Sequence, residues 1–536
     1  MHSNTMASRA VWALLPIVGT VVAQAPASYN TSCSADAIPK PVVFGANITS
    51  VVAQLLTNYG ATGLNACSVN VTLTHPGTGD EVHNQILLPL NWNGIHQGVG
   101  GGGFAAGAFS SLVPIAAQGY ACATTDTGHT PSALYTEDAS PWALVSEGNV
   151  NQYLLRDFAY QSYHDNNLLA KQVIESFYGK PAQYSYWNGC STGGRQGMVS
   201  AQRYPTDYDG ILADAPAIQW NDFTPAQQWP FTVMNNDGYA PLQCEFSAIN
   251  AATIKACDGL DGVQDGIISA PAICNFSAQS LVGQQYVCST DGQTRTYQQK
   301  TADIVAKLWA GPRTTDGDFL WYGLTKGTNF STLANTTVAA NGSSIAVAFG
   351  ISDSWYRYFL AKNPDFDTAN ITYADFDELF LQGHLEYDST MGTYSPDLAE
   401  FKNAGGKMIT WQGLQDQIIM PQGNMLYYEK VLALDPTAHD FYRQFYSPGV
   451  GHCGGGTGVI PIDPIGTLRA WVENGTAPDA LSAASEYPVN ASSAYVTNGM
   501  NVRFQVVSPL ILMLSSSSAD AVAESLSIPP SCQVRW

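Results

Sequence analysis

The stretch that decides the reading is Tyr186-Trp187-Asn188-Gly189-Cys190-Ser191-Thr192-Gly193-Gly194-Arg195-Gln196-Gly197. Just before it, "QYSYW" (183–187) has the compact aromatic character of a buried strand, and a helix is expected from Gly193. Between them Gly189-Cys190-Ser191-Thr192-Gly193 fits G-x-S-x-G. In a strand-to-helix turn of this kind the glycines relieve crowding, the serine hydroxyl stands clear of the sheet, and the helix amides face the place where negative charge would develop. The pentapeptide alone also arises by chance as a structural turn. The strand before it and the helix after it are what make Ser191 a candidate nucleophile. Cys190 has no role in that picture and needs another explanation.

Working outward, strand-like runs precede the motif at "CSVNVTLTH" (67–75), "NQILLPL" (84–90) and "GYACATTDT" (119–127). A long helical pattern covers 151–178, with Leu154, Phe158, Leu168, Leu169, Val173, Ile174 and Phe177 able to share a buried stripe. After the motif comes "YDGILADAP", a further strand ending near Asp214. Strand signals return at "GKMITWQG" (406–413) and "YRQFYSPG" (442–449), with helical patterns "NMLYYEKVLAL" and "IGTLRAWVENG" between and after them. Strands alternating with helices predict a mostly parallel sheet. The region from about 218 to 401 breaks the alternation. The expected architecture is an α/β-hydrolase fold, with catalytic segments 26–217 and 402–536 and an inserted lid, 218–401.

A serine nucleophile needs a base and an acid. His452, in "SPGVGHCGGG", follows the last strand on a glycine-rich loop, and Asp416, in "MITWQGLQDQIIMP", follows a strand between serine and histidine. The order Ser191, Asp416, His452 is that of α/β-hydrolases. His129 in "TDTGHT" is the other candidate base, Asp214 the other candidate acid, and His164 reads as structural. Cys190 now has an explanation. It precedes Ser191 as Cys453 follows His452, so a Cys190–Cys453 disulfide would tie the nucleophile turn to the histidine loop. Closing a loop of this length is worth on the order of 4–5 kcal/mol in the chain-entropy model. For an oxyanion hole the amide of Thr192 needs a second donor. "GVGGGGFAAG" (98–107), after the strand "ILLPL", offers one, with Gly102 at its centre.

The formal net charge of −21 argues against nucleic-acid binding, which needs a basic face. After Arg9 the run "AVWALLPIVGTVVAQA" reads as a signal peptide cleaved near Ala23 or Ala25, so 1–25 would be removed; no other run is long enough for a membrane span. Ten N-x-S/T triplets and ten cysteines, none in a C-x-x-C pair, agree with a secreted, disulfide-bonded glycoprotein. Within the insert, "CDGLDGVQDGIISAPAIC" (257–274) sets Asp258, Asp261 and Asp265 among glycines, which suits Ca²⁺ or a run of Asp-Gly turns equally well.

These elements together resemble the tannase and feruloyl esterase family, over about 67–474. The resemblance rests on Cys190-Ser191, Asp416, His452-Cys453, the Asp-Gly loop and "WVENG" (471–475). It implies an α/β-hydrolase with a lid that binds structural calcium through Asp258, Asp261 and Asp265 side chains and the Val263 and Ile267 carbonyls. It implies disulfides Cys257–Cys274, Cys67–Cys122 and Cys244–Cys288, which leaves Cys33 with Cys532. The C-terminal tail departs from the family pattern, with Cys532 its one cysteine. The expected function is a secreted serine carboxylesterase acting on small or polysaccharide-linked esters of phenolic acids. Feruloyl esters are the first choice and galloyl esters, a tannase activity, the alternative. Phe223, Trp229, Phe231 and Tyr239 are candidates for a phenolic pocket, though each reads more readily as core. A catalytically silent glycoprotein on this scaffold and a calcium-dependent carbohydrate-binding module are rival readings. Both leave the filled Ser, Asp and His positions idle.

Overall fold

The computed structural model describes residues 32–129 and 136–485 and the backbone of 501–502. The expected signal segment and Cys532 lie outside them. Nine strands form one mixed sheet: β1 (Asn47–Tyr59), β2 (Leu64–Thr74), β3 (Val82–Pro89), β4 (Ile95–Val99), β5 (Ala121–Thr125), β6 (Tyr184–Cys190), β7 (Gly210–Asp214), β8 (Lys407–Gly413) and β9 (Tyr442–Ser447). Their spatial order is β1-β2-β3-β5-β4-β6-β7-β8-β9. The half from β1 to β5 is antiparallel and the half from β5 through β4 to β9 is parallel.

The parallel strands are apolar on both faces because helices cover both. Tyr186, Leu212 and Ile409 pack with Leu468 and Trp471 of the helix Pro464–Asn474. Their immediate neighbours Trp187, Ile211 and Met408 point the other way, onto Tyr427 and Val431 of the helix Pro421–Leu434. The expected long helix runs from Gln152 to Tyr178 and is interrupted by a π-helical turn, Asp157–Gln161. Its Leu169, Val173, Ile174 and Phe177 are buried against β2 and β3 side chains.

Between β7 and β8 no residue joins the main sheet. The insert is helical, with Trp220–Asn236, Gln243–Cys257, Gln299–Ala310 and Tyr373–Met391 its longer helices. Its core is continuous with the part that carries the sheet: Phe104 of the glycine loop, Trp142 and Phe158 pack with Trp220, Trp355 and Phe359. Phe223 and Trp229 belong to this core, while Phe231 and Tyr239 border a cleft of about 810 Å³.

Three expected disulfides are present: Cys190–Cys453, Cys244–Cys288 and Cys257–Cys274. The expected Cys67–Cys122 bridge is not. Cys67 is bonded to Cys33, which also removes Cys33–Cys532, and Cys122 is a buried free thiol. The sheet register gives the reason. Cys67 on β2 lies opposite Leu88 and Cys122 on β5 lies opposite Leu87. The two cysteines are therefore two strands apart, about 9–10 Å, and face opposite sides of the sheet.

Candidate active site

β6 delivers Ser191 into a backbone conformation that L-residues rarely adopt, φ 62° and ψ −123°. The turn holds because three glycine backbones stack. A Cβ on Gly189 would stand 2.6 Å from the Gly193 carbonyl carbon, and one on Gly100 would stand 2.5 Å from Gly193 Cα. Ser191 N–H donates to Asp214 O at 3.0 Å, and Ser191 O accepts from Arg195 and Ala217 amides, each at 3.0 Å. The helix Thr192–Arg203 follows at once. Arg195 on that helix is wholly buried without a carboxylate partner among the described residues. It donates to Ala159 O (2.8 Å) and Phe158 O (2.9 Å) in the π-helical turn and lies over the Phe158 and Trp220 rings. This clamp between the two helices was not read from the sequence.

The glycine loop leaves β4 rather than the "ILLPL" strand, and most of its amides are committed. Gly100 N–H donates to Asn188 O, Gly102 N–H to Ala105 O at 2.9 Å, and Gly193 N–H to Gly101 O at 2.9 Å. Gly101 N–H donates to Gln196 Oε1 at 3.2 Å. Gly102 is thus not a free donor, contrary to expectation. Thr192, first in its helix, has no intrahelical acceptor for its N–H, and its Oγ1 donates to Gly103 O at 2.7 Å. Among the described residues the Gly103 amide has no acceptor either.

Asp416 follows β8 and is 1% exposed. Its Oδ1 accepts from the Ile418 and Ile419 amides, both at 2.9 Å, and its Oδ2 from Gln412 Nε2 at 2.9 Å. His452 Nδ1 lies 2.9 Å from the same Oδ2. Gln412 is itself held by Asn424 Nδ2 at 2.7 Å. The histidine loop is fastened to the same turn: His452 N–H donates to Gln417 Oε1 at 3.1 Å, and the Gly449 amide donates to Gln415 Oε1. Gln412, Gln415 and Gln417 were missed. Three glutamines bracketing Asp416 in "WQGLQDQ" were the available signal.

The Cys190–Cys453 bridge, with Cα atoms 5.9 Å apart, brings the neighbours of Ser191 and His452 together. The alternatives lie elsewhere. His129 stacks on Trp142 at 3.8 Å and burial pulls it down to about 4. His164 bonds Asp207 at 2.9 Å. Asp214 touches the nucleophile turn through its backbone only, while burial raises its carboxyl.

The sequence matches the family described as "Tannase and feruloyl esterase" over residues 67–502. The chain belongs to this family. The tannase and feruloyl esterase family comprises carboxylic ester hydrolases, and this chain is one. It is 41% identical over 503 residues to a probable feruloyl esterase from Arthroderma benhamiae, covering 90% of this chain and 93% of that one. It is 30% identical over 422 residues to a probable feruloyl esterase B-2 from Neosartorya fischeri, covering 74% and 75%. Among solved structures, tannin acyl hydrolase from Aspergillus niger superposes with a TM-score of 0.79 at 26% identity, covering 88% of this chain and 90% of that one. Feruloyl esterase B from Aspergillus oryzae gives 0.69 at 25% identity, covering 83% and 91%.

In this tannase and feruloyl esterase family member the Asp-Gly loop hangs between Cys257 and Cys274, and each aspartate spends Oδ1 on backbone amides. Asp258 accepts from Asp265 and Gly266, Asp261 from Val263, and Asp265 from Ile267. Burial and the Asp258 and Asp261 charges raise the Asp265 carboxyl, against the pull of the Ile267 amide. No cation is ion-paired with the three among the described residues. Hard oxygens with uncompensated charge fit Ca²⁺. The three carboxylates do not converge to within 4.8 Å, so an ion would draw the loop together. The loop's far end reaches the Asp416 turn, because Gln415 Nε2 donates to Ile268 O at 3.1 Å.

Proposed function

We propose that this carboxylic ester hydrolase is a secreted feruloyl-esterase-type enzyme releasing phenolic acids from small or plant cell-wall polysaccharide-linked esters. Ser191 attacks the ester carbonyl. His452 takes the hydroxyl proton and returns it to the leaving alcohol, and Asp416 holds the imidazole in the tautomer that accepts at Nε2. Water then releases the acid from the acyl-enzyme. Thr192 N–H and, in place of Gly102, Gly103 N–H receive the developing oxyanion. The observation that carries the reading is the Cys190–Cys453 bridge beside Ser191 and His452, with Asp416 on the imidazole's Nδ1 side.

Calcium, when bound, supplies charge neutralisation to the loop through Asp258, Asp261 and Asp265, with the Val263 and Ile267 carbonyls as further ligands. It takes no part in the ester chemistry. Secretion is supported by the four bridges, which need an oxidising compartment, and no helix among the described residues is long and apolar enough to cross a membrane. A galloyl-ester preference is the second reading, favoured by the likeness to tannin acyl hydrolase. Hydrolysis of methyl ferulate, methyl caffeate and methyl gallate by wild type and Ser191→Ala tests both. Folded Ser191→Ala protein with wild-type turnover overturns the mechanism, and a gallate preference replaces the first substrate class with the second.

A further inference from the structure

A second cluster of chemistry lies away from Ser191, where the turn between β2 and β3 meets the helix 152–178. His75 Nδ1 is 2.5 Å from Asp80 Oδ2 and 3.9 Å from Asp157 Oδ1. On the other side of the ring, His75 Nε2 is 3.0 Å from Asp165 Oδ2. Asp80 Oδ1 is saturated by the Thr74 and Thr78 hydroxyls and the His75 amide, which leaves Oδ2 facing inward. Asp165 is steadied by Gln161 Nε2. Asp157, at the start of the π-helical turn, is 0% exposed, and neither of its carboxyl oxygens has a hydrogen-bond partner. No lysine or arginine is ion-paired with these carboxylates among the described residues.

Three buried carboxylates therefore face one imidazole, and one of them, Asp157, comes within 3.9 Å of Nδ1 without making a hydrogen bond. A buried carboxyl is held as the neutral acid, paired, or bound to a metal; burial raises that of Asp157 to about 8, so it keeps its proton unless an ion replaces it. The donor atoms of His75, Asp80 and Asp157 all lie within 4.8 Å of one another. Their separations from Nδ1 bracket the ~3.4 Å edge of a tetrahedron with bonds of about 2.1 Å. Asp165 stands where an outer carboxylate orients a metal-bound histidine and fixes its tautomer. We propose that His75, Asp80 and Asp157 form a buried site for a first-row divalent metal of the zinc type, with Asp165 orienting His75. The imidazole donor and the small, mixed N/O set select such an ion over Ca²⁺. The ion would displace the protons the cluster otherwise shares. It would join the β2–β3 turn to the helix whose Phe158 and Ala159 carbonyls hold Arg195, so its role is structural.

The test uses the full enzyme, stripped with chelator and then titrated with Zn²⁺, and in parallel with Co²⁺ as a spectroscopic probe. Wild type is expected to bind one equivalent of Zn²⁺ by elemental analysis after desalting, to melt several degrees higher when loaded, and to show visible bands of Co²⁺ in a low-coordinate N/O site. Asp157→Asn, isosteric and uncharged, is expected to lose the bands. A variant carrying Asp258→Asn and Asp261→Asn keeps them, which separates this site from the Asp-Gly loop. Wild type that takes up no Zn²⁺ or Co²⁺ overturns the site without reference to any variant. So do bands that survive in Asp157→Asn or vanish with the loop substitutions.

Discussion

Replacing Asp416 with asparagine is the sharpest perturbation of the proposed chemistry. Both 2.9 Å contacts at Oδ1 come from backbone amides, which only donate. The asparagine oxygen must therefore occupy the Oδ1 position, and its NH₂ group takes the Oδ2 position. There it meets Gln412 Nε2 and His452 Nδ1, each 2.9 Å from the native oxygen. Gln412 cannot flip to accept, because its Oε1 already receives Asn424 Nδ2 and its Nε2 also serves Ile419 O. His452 can satisfy the new donor only by accepting at Nδ1, which puts its proton on Nε2, where it cannot take one from Ser191. The expected loss is about four orders of magnitude in kcat, or ~5 kcal/mol on the barrier. The lost charged acceptor and the donor–donor contact cost roughly 1.5–3 kcal/mol of stability. Steady-state hydrolysis of a methyl hydroxycinnamate, with melting curves on the same samples, measures both. A folded variant within tenfold of wild-type kcat would show that Asp416 does not set the tautomer of His452.

Replacing both Cys190 and Cys453 with serine should cost more activity than stability: a catalytic displacement of about 1 Å costs on the order of a hundredfold in rate, while three other bridges hold the fold. Kinetics and melting of the double variant decide it, and full activity refutes it. Chelation of calcium should lower the melting temperature, by mass action worth about 2.7 kcal/mol for a site saturated a hundredfold over its Kd. It should also depress kcat through the Gln415 bridge, with Gln415→Ala abolishing that second effect; no released calcium and an unchanged melting curve would refute it. His384 sits 3.3 Å from Asp222 and 3.0 Å from Asp388, near Tyr394. Burial lowers its pKa, but Asp222 and then Asp388 outweigh that and raise it from 6.5 to about 8. Its stabilisation is then complete below 6.5 and lost as pH rises through about 8. After discounting for solvent this is about 1–2 kcal/mol. His384→Gln should flatten melting temperature against pH over that window, and an unchanged slope rules the histidine out.

Strands β6 to β9 were legible because they are buried on both faces and read as short apolar runs between helices. β4 was missed, because Ile95–Val99 carries His96, Gln97 and Gly98 and shows neither an apolar run nor a clean alternation. β1 was missed too, since this edge strand exposes Val52, Leu55 and Tyr59 and shows no clean alternation. That Asp416 would meet His452 and that Cys190 would bond Cys453 beside Ser191 could be read because each stands beside a turn or glycine run with its own chemical logic. The Cys67 partner could not. It depends on which face of β2 the side chain takes, and spacing does not encode that. Gly102 failed for a similar reason: a glycine run shows that backbones approach closely, but not which amide is left over once the loop has satisfied itself. The His75 cluster was invisible because its members are spread over ninety residues and meet only through the β2–β3 turn.

The order in which the bridges can close follows from where their cysteines fall along the chain. Cys33–Cys67, Cys244–Cys288 and Cys257–Cys274 span 34, 44 and 17 residues, so each can form while synthesis is still under way. Cys190 must wait for a partner 263 residues downstream, an interval of roughly 15–50 s at ribosomal speeds of about 5–20 residues per second. Throughout that time Cys190 is an unpaired thiol beside Ser191, and among the described residues the unpaired cysteine made before it is Cys122. Cys122 is enclosed under Leu112 within the first-made half of the sheet, and burial pushes its thiol far up, so it offers no thiolate for exchange. The bridge beside Ser191 and His452 is thus the last of the four to close, and it cannot form before His452 itself has been made.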